Sequence, residues 1–286
     1  MRLTVITTGL SSPREASKLP EGPEVRRMGH DLSEQISGEV LESVLILSGR
    51  YTKNLPAGWE TVCENLPMKI VGPGVHGKFL YILTDKGVNI WSTLGMTGQW
   101  SSTRTKHSRI SFSMRSGTTV FFNDQRNFGT IKFVYGGYAL QQKFQKMGPD
   151  MFSDETTSKI FIERIRKKDK WNITKVLMNQ SVLAGIGNYI KAEALWLSGI
   201  SPLQSASDIT DFDLVLLHQA IKDVMMTSYE QGGATFLTHK NFSGEPGDYS
   251  SNFLCYNRKI DAEGHRVVKT PTPDGRITHW APDKQK

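Results

Sequence analysis

The sequence predicts an α+β fold: a β-rich N-terminal domain, a helical domain, and a small β appendage at the end. Three observations carry this. Between residues 40 and 134, short runs rich in β-branched and aromatic residues are punctuated by Gly, Asn and Asp. After Gly148-Pro149-Asp150 the apolar spacing turns helical. Beyond Gly232-Gly233 the chain becomes Gly-, Ser- and Asn-rich, then returns to strand-like runs with turn signals.

Each element follows in order. A helix is predicted over 20–36, because Val25, Met28, Leu32 and Ile36 share one face and Pro23 sits near the first turn, where its missing N–H does no harm. Strands are predicted over 44–47, 78–83, 88–91, 109–114, 120–122 and 130–134, and their number and shortness suggest a β-sandwich or flattened barrel. Helices are predicted over 156–165, 173–178, 189–196 and 211–231, the last ended by Gly232-Gly233. Residues 236–249 read as a long loop. Residues 254–280 read as a β-hairpin, with turns at Glu263-Gly264 and Asp274-Gly275. The segment 1–19 is too short and polar in its apolar part for a signal peptide, and reads as a poorly structured tail.

Composition narrows the function classes. The 286 residues carry 35 Lys+Arg against 28 Asp+Glu, a net charge of +7. That favours a polyanionic partner, since neutralising phosphates releases condensed counterions. No apolar run approaches the roughly 18 residues that a membrane helix needs. The two cysteines, Cys63 and Cys255, are too few for a four-thiolate zinc site, and a reduced compartment is their plainer setting. The protein is expected in the cytoplasm or on nucleoid or nuclear DNA, not secreted, and as a monomer.

The motifs carry the chemistry. Pro20-Glu21-Gly22-Pro23-Glu24 puts two carboxylates at a helix start, where acids are favoured by the helix dipole alone. It is followed by His76-Gly77-Lys78-Phe79-Leu80, Leu94-Gly95-Met96-Thr97-Gly98 and Asn123-Asp124-Gln125-Arg126-Asn127-Phe128-Gly129. Then come Asn179-Gln180, Gly185-Ile186-Gly187-Asn188-Tyr189 and Pro273-Asp274-Gly275-Arg276. This ordered series, spanning nearly the whole chain from Pro20, resembles the formamidopyrimidine-DNA glycosylase / endonuclease VIII family.

The resemblance implies an N-terminal catalytic β-sandwich domain over 20–150 and a helix-two-turn-helix domain over 151–235. A lesion-side loop and a finger hairpin follow over 236–286, and DNA lies in the cleft. It also implies a bifunctional glycosylase/AP lyase of base excision repair, acting on double-stranded DNA with oxidised bases or abasic sites, without a cofactor or metal. Pro20 would be the nucleophile. A chain-initial proline is a secondary amine able to form an iminium, whereas an internal proline nitrogen is an amide and cannot. Glu21 would shuttle protons, and Lys78 would contact phosphate and assist β,δ-elimination. Glu24 is either a second pocket carboxylate or a helix-start cap.

Met96, Arg126 and Phe128 match the family's insertion residues, which fill the hole left by a flipped nucleotide; otherwise Met96 and Phe128 would be core. Asn188 and Arg276 are carried over as phosphate contacts. The finger lacks the cysteines of a zinc finger and resembles the zincless branch, with Tyr256 and Trp280 as candidate packing residues. The basic run Arg164, Arg166, Lys167, Lys168 and Lys170 is as compatible with a solvated face as with DNA. Gly22 and the finger lean to the endonuclease VIII side and oxidised pyrimidines; the Met96, Arg126 and Phe128 set leans to the formamidopyrimidine side. One departure stands out: Pro20 lies behind nineteen residues. Position 19 as the true start, removal by a protease, and a non-catalytic DNA-binding relative are the three ways to read it.

Overall fold

A computed structural model describes residues 20–234, 242 and 247–286. The tail over 1–19 and most of the loop read over 236–249 lie outside the described residues. The first part comprises α1 (Gly22–Ile36), β1 (Val40–Ile46), α2 (Trp59–Asn65), β2 (Met68–His76), β3 (Phe79–Thr84), β4 (Val88–Thr93), β5 (Gly98–Ser101), β6 (Ser108–Met114), β7 (Thr119–Asp124), β8 (Thr130–Tyr135) and α3 (Gly137–Gln145). The second comprises α4 (Ser158–Arg166), α5 (Ile173–Met178), α6 (Asn188–Leu197) and α7 (Asp211–Glu230), followed by the hairpin β9 (Val268–Pro271) and β10 (Ile277–Trp280).

The eight N-terminal strands run in the order β5-β7-β6-β1-β2-β3-β4-β8, every adjacent pair antiparallel. The sheet folds over so that its two halves face each other. Trp100 of β5 donates its indole N–H to Ser92 Oγ of β4 at 3.1 Å. The rings of Phe112 on β6 and Phe133 on β8 lie 6.4 Å apart. These contacts join strands distant in the sheet order, which makes the layer a sandwich. The apolar stripe of α1, Val25, Met28, Leu32 and Ile36, packs into this core. Each such side chain contributes about 1.5–3 kcal/mol by leaving water.

Six elements differ from the sequence reading. α1 begins at Gly22, two residues later than expected, because Glu21 is extended. β2 and β5 escaped notice, since Gly72, Pro73 and Gly74 interrupt the former and the latter has only four residues. α2 and α3 are too short for their apolar spacing to register. The expected hairpin over 254–280 is narrower: its ladder pairs Ile277 with Pro271 and Trp280 with Val268, and the earlier turn is closed by a bridge between Ile260 and Arg266.

Helices α4 to α7 share a second core built on Phe161, Leu177, Ile190, Leu195 and Leu217. The two cores meet at α1. Gly22 N donates to Gly185 O at 2.9 Å, Arg26 pairs with Asp150 at 2.7 Å, and His76 Nε2 lies 2.8 Å from Gly148 O. The hairpin is tied to α6: Glu193 accepts the backbone N–H groups of Leu254, Cys255 and Tyr256, and Trp196 Nε1 donates to Asp261 at 2.7 Å. Among the described residues, no helix is long and apolar enough to cross a membrane.

Candidate active site

The site lies where α1, the β2–β3 turn and the first turn of α6 converge. Pro20 and Glu21 precede α1 and are both buried, Glu21 to 3% exposure. Glu21 Oε1 accepts the N–H of Tyr189 at 3.0 Å and Oε2 that of Ile190 at 3.3 Å. Both donors are orphans of the first turn of α6, where the helix dipole is positive. From the sequence, Asn188 at this helix start is expected to contact a phosphate. The structure instead points the N–H groups of this turn at the protein's own Glu21.

That contact explains Gly187. Its φ of −126° suits any residue, but a Cβ there would stand 2.0 Å from the Glu21 carboxyl carbon. Glycine is required for space, not for conformation.

Glu24 caps the helix start and bridges it to α7. Its Oε2 accepts the backbone N–H of Glu21 at 2.8 Å, as a helix-start cap does. Its Oε1 accepts the N–H of Ala234 at 2.7 Å and the Tyr189 hydroxyl at 3.0 Å, joining the start of α1 to the end of α7. Lys78, in the β2–β3 turn, donates to Ile186 O at 2.7 Å.

Burial sets the protonation chemistry. It raises Glu21 to about 7; Lys78 pulls against the rise and Glu24 adds to it. Burial also raises Glu24 and lowers Lys78, the latter opposed by the two carboxylates and reinforced by Arg276. A carboxyl that titrates near neutrality, within the field of a lysine, can both give and take a proton at physiological pH.

The three insertion candidates sit on two loops at the rim of the sandwich. Met96 is half-buried, while Arg126 and Phe128 are exposed and stacked, the guanidinium 4.9 Å from the ring centre. The sequence missed what holds them. Asp124, 1% exposed, accepts Thr97 Oγ1 at 2.5 Å and Gly129 N at 2.7 Å, locking the Met96 loop to the Arg126 loop. Between the two exposed residues, Asn127 takes a left-handed φ of 56°, which Asn tolerates better than most. Arg50 donates to the carbonyls of Asn127 and Gly129 from beneath. Asp124 sat inside a quoted motif, but only long-range contacts reveal its function.

Asn188 and Arg276 behave differently. Asn188 is 3% exposed and its amide donates to Ile277 O at 3.2 Å and Tyr256 Oη at 3.4 Å, so it faces the hairpin. Arg276 is exposed at the hairpin tip. In the basic run, Arg166 is committed to Asp211 and the carbonyls of Ala206 and Ile209.

The residues of the hairpin region do not fit a tetrahedral zinc ion. Cys255 is the one thiol there, packed with Trp196 and Ala281, and burial pushes it up to about 12. His265 bonds Asp261, whereas His279 lies against the Tyr256 ring at 4.8 Å.

Comparison with known proteins meets this geometry. Residues 19–131 match the formamidopyrimidine-DNA glycosylase N-terminal domain, and residues 147–240 match the formamidopyrimidine-DNA glycosylase H2TH domain. A formamidopyrimidine-DNA glycosylase of Lactobacillus helveticus is 30% identical over 245 residues, covering 83% of this chain and 87% of that protein. One from Halalkalibacterium halodurans is 29% identical, covering 94% of this chain and 100% of its own. The crystal structure of MutM (Fpg) from Thermus thermophilus superposes with a TM-score of 0.81 at 27% identity, covering 93% of this chain and 98% of that one. The Lactococcus lactis enzyme, bound non-covalently to DNA containing an AP site, gives 0.80 at 25% identity, with 93% and 100% covered. The chain belongs to the formamidopyrimidine-DNA glycosylase family.

Proposed function

We propose that this family member is a bifunctional DNA glycosylase/AP lyase that excises oxidised bases through an imine on Pro20. The observation that carries the reading is the Glu21 carboxyl, raised to about 7 by burial beside Pro20 and Lys78. The secondary amine of Pro20 attacks C1′ of the damaged nucleotide. The glycosidic bond breaks, the base leaves with its electron pair and takes a proton from water, and ring opening then leaves an iminium. Protonated Glu21 gives its proton to the sugar ring oxygen as the ring opens; as carboxylate it accepts the amine proton. Loss of a C2′ proton expels the 3′ phosphate, and a second elimination expels the 5′ phosphate. Lys78, cationic beside the departing phosphate, favours both departures. Water then hydrolyses the imine and frees the amine. Met96, Arg126 and Phe128 fill the gap left by the flipped nucleotide, and Arg276 holds a flanking phosphate. Asn188 ties the Gly185–Asn188 turn to the hairpin and reaches a phosphate only if the hairpin shifts on DNA.

The reading requires residue 20 to begin the working polypeptide. The N-terminal family match starts at residue 19, where Leu19 stands in the place of an initiator Met. Borohydride trapping on a duplex with an abasic site tests it. Protein beginning at Pro20 forms a covalent adduct; Pro20→Gly, still first in the chain, traps far less. A native product that retains residues 1–19 and still cleaves damaged strands would overturn the mechanism. Native protein that binds lesions without trapping would identify a non-catalytic relative. The lesion class is read from a panel of duplexes carrying oxidised pyrimidines or 8-oxoguanine.

A further inference from the structure

Lys191 sits on α6 with a side chain wholly removed from solvent, and its Nζ lies 2.6 Å from Asp274 Oδ2, itself 1% exposed. An ammonium and a carboxylate are expensive to bury, and a hydrophobic pair of the same size would often be as stable. Stability alone is therefore a weak reason for this pair. Its surroundings give a better one.

Asp274 is in the β9–β10 turn, two residues before Arg276. Its second oxygen accepts the Thr272 hydroxyl, which also lies 2.7 Å from the Thr278 hydroxyl. Thr272 N donates to Arg276 O at 2.9 Å, and Gly275 N to Thr272 O at 2.9 Å. An unbroken series of bonds thus runs from α6 through Lys191, Asp274 and Thr272 to the backbone of Arg276. Arg276 also stands near enough to Lys78 and Lys191 that its charge disfavours theirs. Arg276 thus feels the charge of both lysines. Asp274 cancels the one nearest the turn and so prevents Lys191 from repelling Arg276.

We propose that the Lys191–Asp274 ion pair is the positioning device that aims Arg276 at a phosphate beside the reacting nucleotide, the task that a metal ion performs in a zinc-bearing finger. The inference rests on the reading of Arg276 as a phosphate contact. It makes α6 a shared frame, with its first turn holding the acid Glu21 and its next turn holding the arginine.

The test is binding to a duplex carrying a tetrahydrofuran abasic analogue, measured across salt concentrations, with the melting temperature of each variant recorded. Asp274→Asn removes a negative charge near DNA, so simple electrostatics has it bind more tightly. The proposal requires the opposite: affinity falls about ten-fold and the slope of log K against log salt shrinks by about one, as expected when one phosphate contact is lost. Arg276→Ala produces the same two changes, and the Asp274→Asn/Arg276→Ala double variant is no weaker than Arg276→Ala alone. Unchanged or tighter binding by Asp274→Asn overturns the proposal, as do losses that multiply in the double variant. Wild-type affinity in Arg276→Ala overturns the phosphate reading, and the proposal with it. If Asp274→Asn does not fold, the nearly isosteric Thr272→Val, which cuts the same series of bonds, is expected to weaken binding several-fold; wild-type affinity there refutes the device.

Discussion

Two buried glutamates, one against the first turn of α6 and one within that helix, make an instructive pair. Glu21 accepts two N–H groups from the first turn of α6, the longer at 3.3 Å, and has Lys78 as a charged neighbour. Glu193, within the helix, accepts three backbone N–H groups from Leu254, Cys255 and Tyr256, and burial raises its pKa as it does that of Glu21. Burial is equal; freedom is not. Glu193 accepts three consecutive N–H groups, so protonating it leaves fewer acceptor lone pairs for the loop. The N–H partners of Glu21 are two, both in the first turn of α6. A raised carboxyl pKa therefore marks a proton carrier only where protonation leaves the backbone intact.

The strongest way to break this contrast is Glu21→Gln. Base excision in single-turnover assays is expected to fall about 10²–10⁴-fold, the usual share of a positioned acid–base group, while affinity for abasic-analogue DNA persists. Retained excision would remove Glu21 from the chemistry. Glu193→Leu should do the reverse. It leaves three N–H groups without this acceptor, two of them buried and each worth about 1–3 kcal/mol, so denaturant titration should show a loss of several kcal/mol or no folded protein. A variant as stable as wild type would show that the loop finds other acceptors.

A pH series sharpens the comparison. The raised pKa of Glu21 means that folding disfavours its charged form. The stability it permits is full below the ordinary value of 4.5 and is lost as pH rises through about 7. Glu21→Gln should therefore gain on wild type in unfolding measurements across that window. If the protonated form gives its proton to the sugar, excision falls on the alkaline side with an apparent value near 7, belonging to the coupled Glu21–Lys78 pair. An excision rate flat from pH 6 to 9 would contradict this.

The smallest effect is expected at His279 in the hairpin. Burial, with Lys269 and Lys191 nearby, lowers it to about 4, and neither ring nitrogen has a partner among the described residues. A depressed histidine stabilises the fold as the neutral form. That contribution is present above its ordinary value of 6.5 and is lost as pH falls toward about 4. His279→Leu should flatten the acid side of the stability profile without touching the alkaline side. An unchanged acid limb would assign the loss to other groups.

Much of this was legible in the chain. The apolar stripe of α1 showed because four large side chains recur at helical spacing on one face, and the helix read over 173–178 matches α5 end to end. β2 was hidden because its core-facing alternation is broken by Gly72-Pro73-Gly74. Pro20, Glu21 and Lys78 could be singled out because their chemistry depends on residue type within short motifs. Asp124, Tyr189 and the Lys191–Asp274 pair could not, because each acts through a partner that the sequence does not mark.

The sequence by itself determined the α+β order, the β-rich first half, the family, and which side chains could be nucleophile, acid and cation. Local propensity, periodicity and motif order are properties of neighbouring residues, so they can be read along a line. Only the tertiary structure decided that α6 turns its first N–H groups to Glu21, that Gly187 must lack a side chain, and that Asn188 faces the hairpin. Those outcomes depend on distances between segments 80 to 170 positions apart and on the water excluded between them, and it is this exclusion that makes Glu21 an acid near neutrality.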